Sequence, residues 1–201
     1  MMMLLVFLLF FVLLGQSLLK QRRNARSEIL CASSKRTALE LRPVAVDFLN
    51  LLQNTPSVRD IPGIHTTTCA IIGGLAVISH APHRVTQDID FCLSNSEIGP
   101  HIKATLVRHR PDKCRFFAGI FKFLADDGWV QVDLVPEIKL PLVPTVAEPI
   151  MDVRPSALPV ASAEELIVLK AASCGSRGVH AQAVKDALDC LELAQSFNGT
   201  G

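Results

Sequence analysis

Hydrophobic positions along the chain alternate between helical and strand spacing, and the changes of period mark out its elements. Between residues 36 and 52, Leu39, Leu41, Val44, Val46, Phe48, Leu49, Leu51 and Leu52 recur at helical spacing. A helix is expected there, interrupted or started at Pro43. Apolar runs at 66–72 and 88–93 read as central strands, with a short helix at 75–79 between them. A further helix is expected over 94–106, opening at Ser94 or Ser96. Residues 116–124 and 129–135 read as two strands joined by a hairpin at Asp126-Asp127-Gly128. Six prolines between 136 and 160 forbid a long helix, leaving an extended connection that either wraps the sheet or lies over the site.

The C-terminal third returns to helical periodicity. Leu166, Ile167 and Leu169 form a stripe behind Ser162, a suitable N-cap. After a loop at 175–178, a second helix is expected from about 180 to 197, with Ala183, Ala187, Leu188, Leu191 and Leu193 as its apolar positions. The chain is therefore expected to be α+β, a short mixed sheet backed by helices and completed by a C-terminal helical pair.

Length and charge narrow the classes. The 201 residues make one domain, at 36–198, plus a tail. A formal net charge of +1 offers no general attraction to nucleic acid or acidic lipid, so any such surface must be a local patch. Lys103, Arg108, Arg110, Lys113 and Arg115 are the better candidate for an acceptor surface, although a solvated helix and loop explain them as well. With no tyrosine and one tryptophan, composition does not advertise a base-stacking platform. Six cysteines without paired short spacing read as thiols in a reducing compartment.

The tail is of a different kind. Residues 1–14 are wholly apolar, and continuation to Leu19 gives a helix of about 28 Å against a hydrocarbon core of roughly 30 Å. Lys20, Arg22, Arg23 and Arg26 follow it, which makes 1–26 an expected membrane anchor with the domain in the cytoplasm. A secretory signal and a wrongly assigned start are the competing readings.

The candidate chemistry lies at Gly73-Gly74 and Asp88-Ile89-Asp90. Alternate side chains of a strand share a face, so Asp88 and Asp90 point together while Ile89 and Phe91 point the other way. Two carboxylates at roughly 6 to 7 Å and an effective dielectric of about 20 repel by about 2 to 3 kcal/mol unless a cation joins them. Glycines without a Cβ let backbone amides approach an anion where a helix begins. The pair of motifs thus describes a nucleoside triphosphate held by its phosphates, with Mg²⁺ or Mn²⁺ on the carboxylates. Taken singly, each has a plainer reading: Gly-Gly as a turn and Asp-x-Asp as a solvated turn. His80 and His83 flank Pro82 without partners for a zinc set and read as loop residues.

The spacing of Gly73-Gly74 and Asp88-Ile89-Asp90 resembles the signature of the nucleotidyltransferase superfamily, whose fold is polymerase-beta-like. Ala76, with Arg84 and Thr86 ahead of the aspartates, is closest to AbiEii-type nucleotidyltransferases, and the resemblance spans roughly residues 65–195. It implies transfer of a nucleoside monophosphate to an acceptor hydroxyl, be it on RNA, a protein or a small molecule, with release of pyrophosphate. It also implies a third acidic residue on a neighbouring strand, for which Asp133 in Val130-Gln131-Val132-Asp133 is the candidate, although a half-exposed edge strand explains that alternation too. Gly73 and Gly74 would cradle phosphate, Arg84 and Thr86 would hold substrate or fix the aspartate loop, Lys170 would contact phosphates, and Asp186 would orient that lysine. A salt bridge between helices accounts for Lys170 and Asp186 equally well, and Asp189 reads as structural. The alternative function is a catalytically idle nucleotide-binding or protein-interaction module of the same fold.

Overall fold

The first helix, α1 (Ala38–Asn54), starts where Glu40 accepts hydrogen bonds from the backbone amide of Thr37 (2.7 Å) and from its hydroxyl (3.0 Å). The computed structural model describes residues 37–81, 85–176 and 180–198. The expected anchor at 1–26, with its basic flank, lies outside the described residues, as does Arg84. No helix among the described residues is long and apolar enough to cross a membrane. Pro43 lies inside α1 rather than at its start, on the exposed face of the helix. The opposite stripe, Leu41, Val44, Ala45, Phe48, Leu49 and Leu52, is buried. Phe48 is its centre, with ring centroids 5.6–6.2 Å from those of Phe91, Phe121 and Phe123.

A four-residue helix, α2 (Pro56–Arg59), and a 3₁₀ turn at Ile64–Thr66 lead into β1 (Thr68–Ile72). The remaining elements are α3 (Gly73–His80), β2 (Asp88–Leu93), α4 (Ile98–His109), β3 (Cys114–Phe117), β4 (Ile120–Ala125), β5 (Gly128–Pro136), β6 (Glu148–Pro149), α5 (Ala163–Ser176) and α6 (His180–Asn198). The six strands form one mixed sheet in the order β3-β4-β5-β2-β1-β6. Among the strand pairs of the described residues, β2–β5 is parallel and the other four are antiparallel. The α+β architecture expected from the pattern is the one observed.

Four elements differ from expectation. Helix α3 begins at the glycine pair itself and runs through His80, whose ring nitrogen lies 2.9 Å from the Ala161 carbonyl, so His80 ends a helix rather than sitting in a loop. Helix α4 starts four residues later than Ser94, because the Ser94 hydroxyl accepts from the Thr68 amide (2.8 Å) at the end of the sheet and Asn95 then turns the chain by accepting from Glu97. The single strand expected over 116–124 is two strands folded at Ala118-Gly119, whose φ angles of 48° and 80° are those of a two-residue hairpin turn. Finally, α6 turns two of its three leucines outward: Leu188 and Leu191 are about half exposed, whereas Leu193 is buried and Asp186 and Asp189 face inward.

The proline-rich connection wraps the sheet. Residues Glu148–Pro149 pair with the start of β1, and Ile71 donates to the Pro159 carbonyl (2.7 Å) and accepts from Ala161 (3.0 Å) near its end. Gln53 holds the segment from α1 through the carbonyls of Ile150 (3.1 Å) and Val153 (2.9 Å). The outer edge of β1 is thereby covered.

Candidate active site

Strand register decides which polar groups meet. β1 places Ile72 beside Asp90, and the parallel β5 places Asp133 beside Asp90 and Gln131 beside Asp88. Because side chains alternate, Ile89, Phe91, Val130, Val132 and Leu134 enter the core while Asp88, Asp90, Gln131 and Asp133 share the other face. One oxygen from each of the three aspartates lies within 4.8 Å of the others. At that separation, and an effective dielectric of about 20, each like-charged pair costs about 3 kcal/mol. A group of half-buried carboxylates at this spacing can hold a metal ion, and hard oxygen donors suit Mg²⁺ or Mn²⁺. Burial, followed by repulsion from Asp88 and Asp133, pushes the Asp90 carboxyl up to about 7, opposed by Lys170 and by the Gly74 amide that donates to it.

The glycine pair shapes this pocket by what it lacks. Gly73 adopts φ +65°, and a Cβ there would fall 2.7 Å from the Asp90 Cγ. A Cβ on Gly74 would fall 2.7 Å from that of Thr86, whose buried hydroxyl donates to Asp88 at 2.6 Å. Gly73→Ala should therefore displace the Asp90 carboxylate as well as strain the backbone, and weaken Mn²⁺ binding at least tenfold by calorimetric titration. Gly119→Ala is the control. It has a similar φ of +80° but open space around it, and should leave Mn²⁺ binding unchanged.

The carboxylates line a polar cavity of about 290 Å³. Gly74 and Thr86 form one wall, and Lys170, Gln182, Lys185 and Asp186 close it from the C-terminal helices. A larger cavity of about 420 Å³ beside Ser57, Asp60, Asn95 and His101 holds no such cluster, so chemistry rather than size selects the site. Lys170 is 8% exposed and bridges α5 to α6, 2.9 Å from both Asp186 and Asp189. Ser162 and Glu165 fix the start of α5 by exchanging hydrogen bonds across its first turn.

Of the residues expected at the site, Asp88, Asp90, Asp133, Gly74, Thr86, Lys170 and Asp186 all line this one cavity, and Gly73 packs behind Asp90. Sequence reasoning missed Gln131, which donates to Asp133 at 2.6 Å, although its position two residues before Asp133 on a strand was a usable signal. It also missed the role of Lys103, 3.8 Å from Asp133, where burial lowers its pKa against the pull of that carboxylate. No sequence spacing links α4 to β5, so nothing local marks that pair.

No protein-family model matches the sequence, and no curated protein does. The fold is similar to that of a crystal structure described as an antigenic nucleotidyltransferase-like protein from Paracoccidioides brasiliensis. The TM-score is 0.54 over 81% of this chain and 78% of that one, at 17% identity.

Proposed function

We propose that this chain is a metal-dependent nucleotidyltransferase that moves a nucleoside monophosphate from a nucleoside triphosphate to an acceptor hydroxyl. The observation that carries the reading is the convergence of Asp88, Asp90 and Asp133 within 4.8 Å beside a helix that opens on two glycines. In this reading Asp88, Asp90 and Asp133 hold Mg²⁺ or Mn²⁺, which when bound would supply charge for the phosphates and acidity for the attacking hydroxyl. The acceptor oxygen attacks the α-phosphorus, the bond from that phosphorus to the pyrophosphate oxygen breaks, and the hydroxyl proton passes to Asp133. Thr86 orients Asp88, Gln131 orients Asp133, and the Gly74 amide orients Asp90. Lys170 and Lys185 line the same cavity and face the triphosphate, with Asp186 holding Lys170 in place; for Arg84 a substrate contact is proposed from the sequence resemblance alone.

The pattern of Gly73-Gly74, Asp88-x-Asp90, Lys170 and Lys185-Asp186 resembles that of AbiEii-type nucleotidyltransferases and supports a reaction of their kind. Six cysteines without paired short spacing support a reducing compartment such as the cytoplasm, where nucleoside triphosphates are abundant.

The test is incubation of the full chain with each nucleoside triphosphate radiolabelled at the α-phosphate, Mg²⁺ and whole-cell extract, beside the Asp88→Ala/Asp90→Ala protein. Label on an acceptor, with pyrophosphate released, is expected only from the parent chain. Triphosphate binding without transfer would replace this reading with the idle binding module.

A further inference from the structure

The face of the sheet that carries the aspartates continues across β5, β4 and β3. Trp129, Gln131 and Asp133 share it on β5, Lys122 lies beside Gln131, and Arg115 lies beside Lys122. Phe117 and Trp129 meet edge to face at 5.2 Å between centroids. The Arg115 guanidinium sits 5.2 Å over the Trp129 ring and the Lys122 ammonium 5.9 Å over the Phe117 ring. Phe117 is 41% exposed and Arg115 is exposed, so this cluster fills no core. The low aromatic content concealed it, because the one tryptophan and a surface phenylalanine come together only through the β3–β4 hairpin.

Flat rings topped by cations suit one kind of chemistry. Bases stack on aromatic and guanidinium planes, and phosphates are neutralised by the arginine and lysine between them. A duplex hides its base faces and could not use these plates. A cationic small acceptor would be repelled by Arg115 and Lys122, and an acidic peptide would leave the rings unused. Trp129 lies about 13 Å along β5 from Asp133, four residues at about 3.3 Å each. A strand stacked there, with its phosphates over Arg115 and Lys122, ends at the carboxylates. Asp126 and Asp127 in the β4–β5 turn, exposed at the far end, repel phosphate and limit the footprint to a short segment.

We infer that Phe117, Trp129, Arg115 and Lys122 form the acceptor site and that the acceptor is the single-stranded end of a polynucleotide. This rests on the nucleotidyl-transfer reading of the adjoining pocket, but the strand-binding step can be measured without it. Trp129 is the chain's single tryptophan, so its emission reports this surface alone.

The experiment titrates the full chain with short oligoadenylates, ribo and deoxy, and follows Trp129 emission; labelled oligonucleotides give the same isotherms by anisotropy. Saturable quenching by single strands is expected, with affinity at least tenfold weaker in Phe117→Ala and Arg115→Ala, and a shallower salt dependence in Lys122→Ala. Asp88→Ala/Asp90→Ala should keep the quenching while losing label transfer. A preference for ribo over deoxy strands, or the reverse, names the source of the acceptor. Equal quenching by duplex, or by polyglutamate, would overturn the proposal, the second in favour of a protein partner. Label transfer to some acceptor with no response to any oligonucleotide would also overturn it while leaving the enzyme reading intact. Quenching without transfer of label to any acceptor would keep the strand-binding surface but overturn the nucleotidyl-transfer reading, and with it the acceptor role given to that surface.

Discussion

Asp90→Asn is expected to melt at a higher temperature than the parent in metal-free buffer near pH 8, and to lack the nucleotide transfer proposed for the parent. The two effects have one source. Burial and then the charges of Asp88 and Asp133 raise the Asp90 carboxyl to about 7, far above its unfolded value near 4. A carboxyl whose folded pKa is raised contributes its full stability below the unfolded value and loses it as pH climbs through the folded one. The parent should therefore lose stability between about pH 4 and pH 7, and the asparagine variant should not. The gap is on the order of 4 kcal/mol, or roughly 8 to 16 °C in a chain of this size, and it should vanish near pH 4. Added Mg²⁺ or Mn²⁺ should raise the melting temperature of the parent and leave that of the variant nearly unchanged. Melting curves across this pH range check it; an asparagine variant no more stable than the parent at pH 8 would mean that the carboxylates are not strained against one another.

The second large effect concerns Lys170. Its ammonium is buried, with Asp186 and Asp189 each at 2.9 Å, so Lys170→Met leaves two aspartates without their shared cation. Breaking a buried ion pair in this one-sided way costs about 3 to 5 kcal/mol, which lowers melting by roughly 10 °C. Removing all three charges together, as Lys170→Met/Asp186→Leu/Asp189→Leu, should recover most of that loss, because well-packed apolar groups replace the whole cluster. The triple variant is the useful one for function. If Lys170 serves only to join α5 to α6, the stable triple variant still binds triphosphate; if it faces phosphate, the variant loses at least tenfold in triphosphate affinity despite folding. Calorimetric titration of the folded triple variant separates the two.

Local alternation made Asp88 and Asp90 visible before any fold was known, because a period of two states outright which side chains of one strand share a face; Asp133 came from the family resemblance, since only the β2–β5 register puts it beside them. The glycine pair was legible for a related reason, since it falls between an apolar strand and a short apolar helix. Elsewhere tertiary contacts overrode the local pattern. Periodicity alone put Leu188 and Leu191 in the core, but the inward face of α6 is set by Asp186 and Asp189 gathering around Lys170, a residue of another helix. The hairpin at Ala118-Gly119 carries no Asn-Gly or Asp-Gly signal, and an alanine at φ 48° is not something composition announces. The pairing of Lys103 with Asp133, and the meeting of Phe117 with Trp129, exist only after the strands have been ordered.

The parallel pairing of β2 with β5 has a consequence for when this protein can act during its own synthesis. Asp90 and Asp133 become neighbours across a ladder whose two strands are separated in sequence by α4 and the entire β3–β4 hairpin. Such a contact closes late, since the loop entropy must be met before the pairing returns anything. The lysine that faces the carboxylates comes later still, on α5, and its partners later again on α6. A nascent chain emerging from the ribosome thus carries two aspartates without the third, and then three with Lys103 but without Lys170. The pocket is completed only when the last of these helices docks against α5, so its polar wall depends on a contact that closes after the carboxylates have already been brought together.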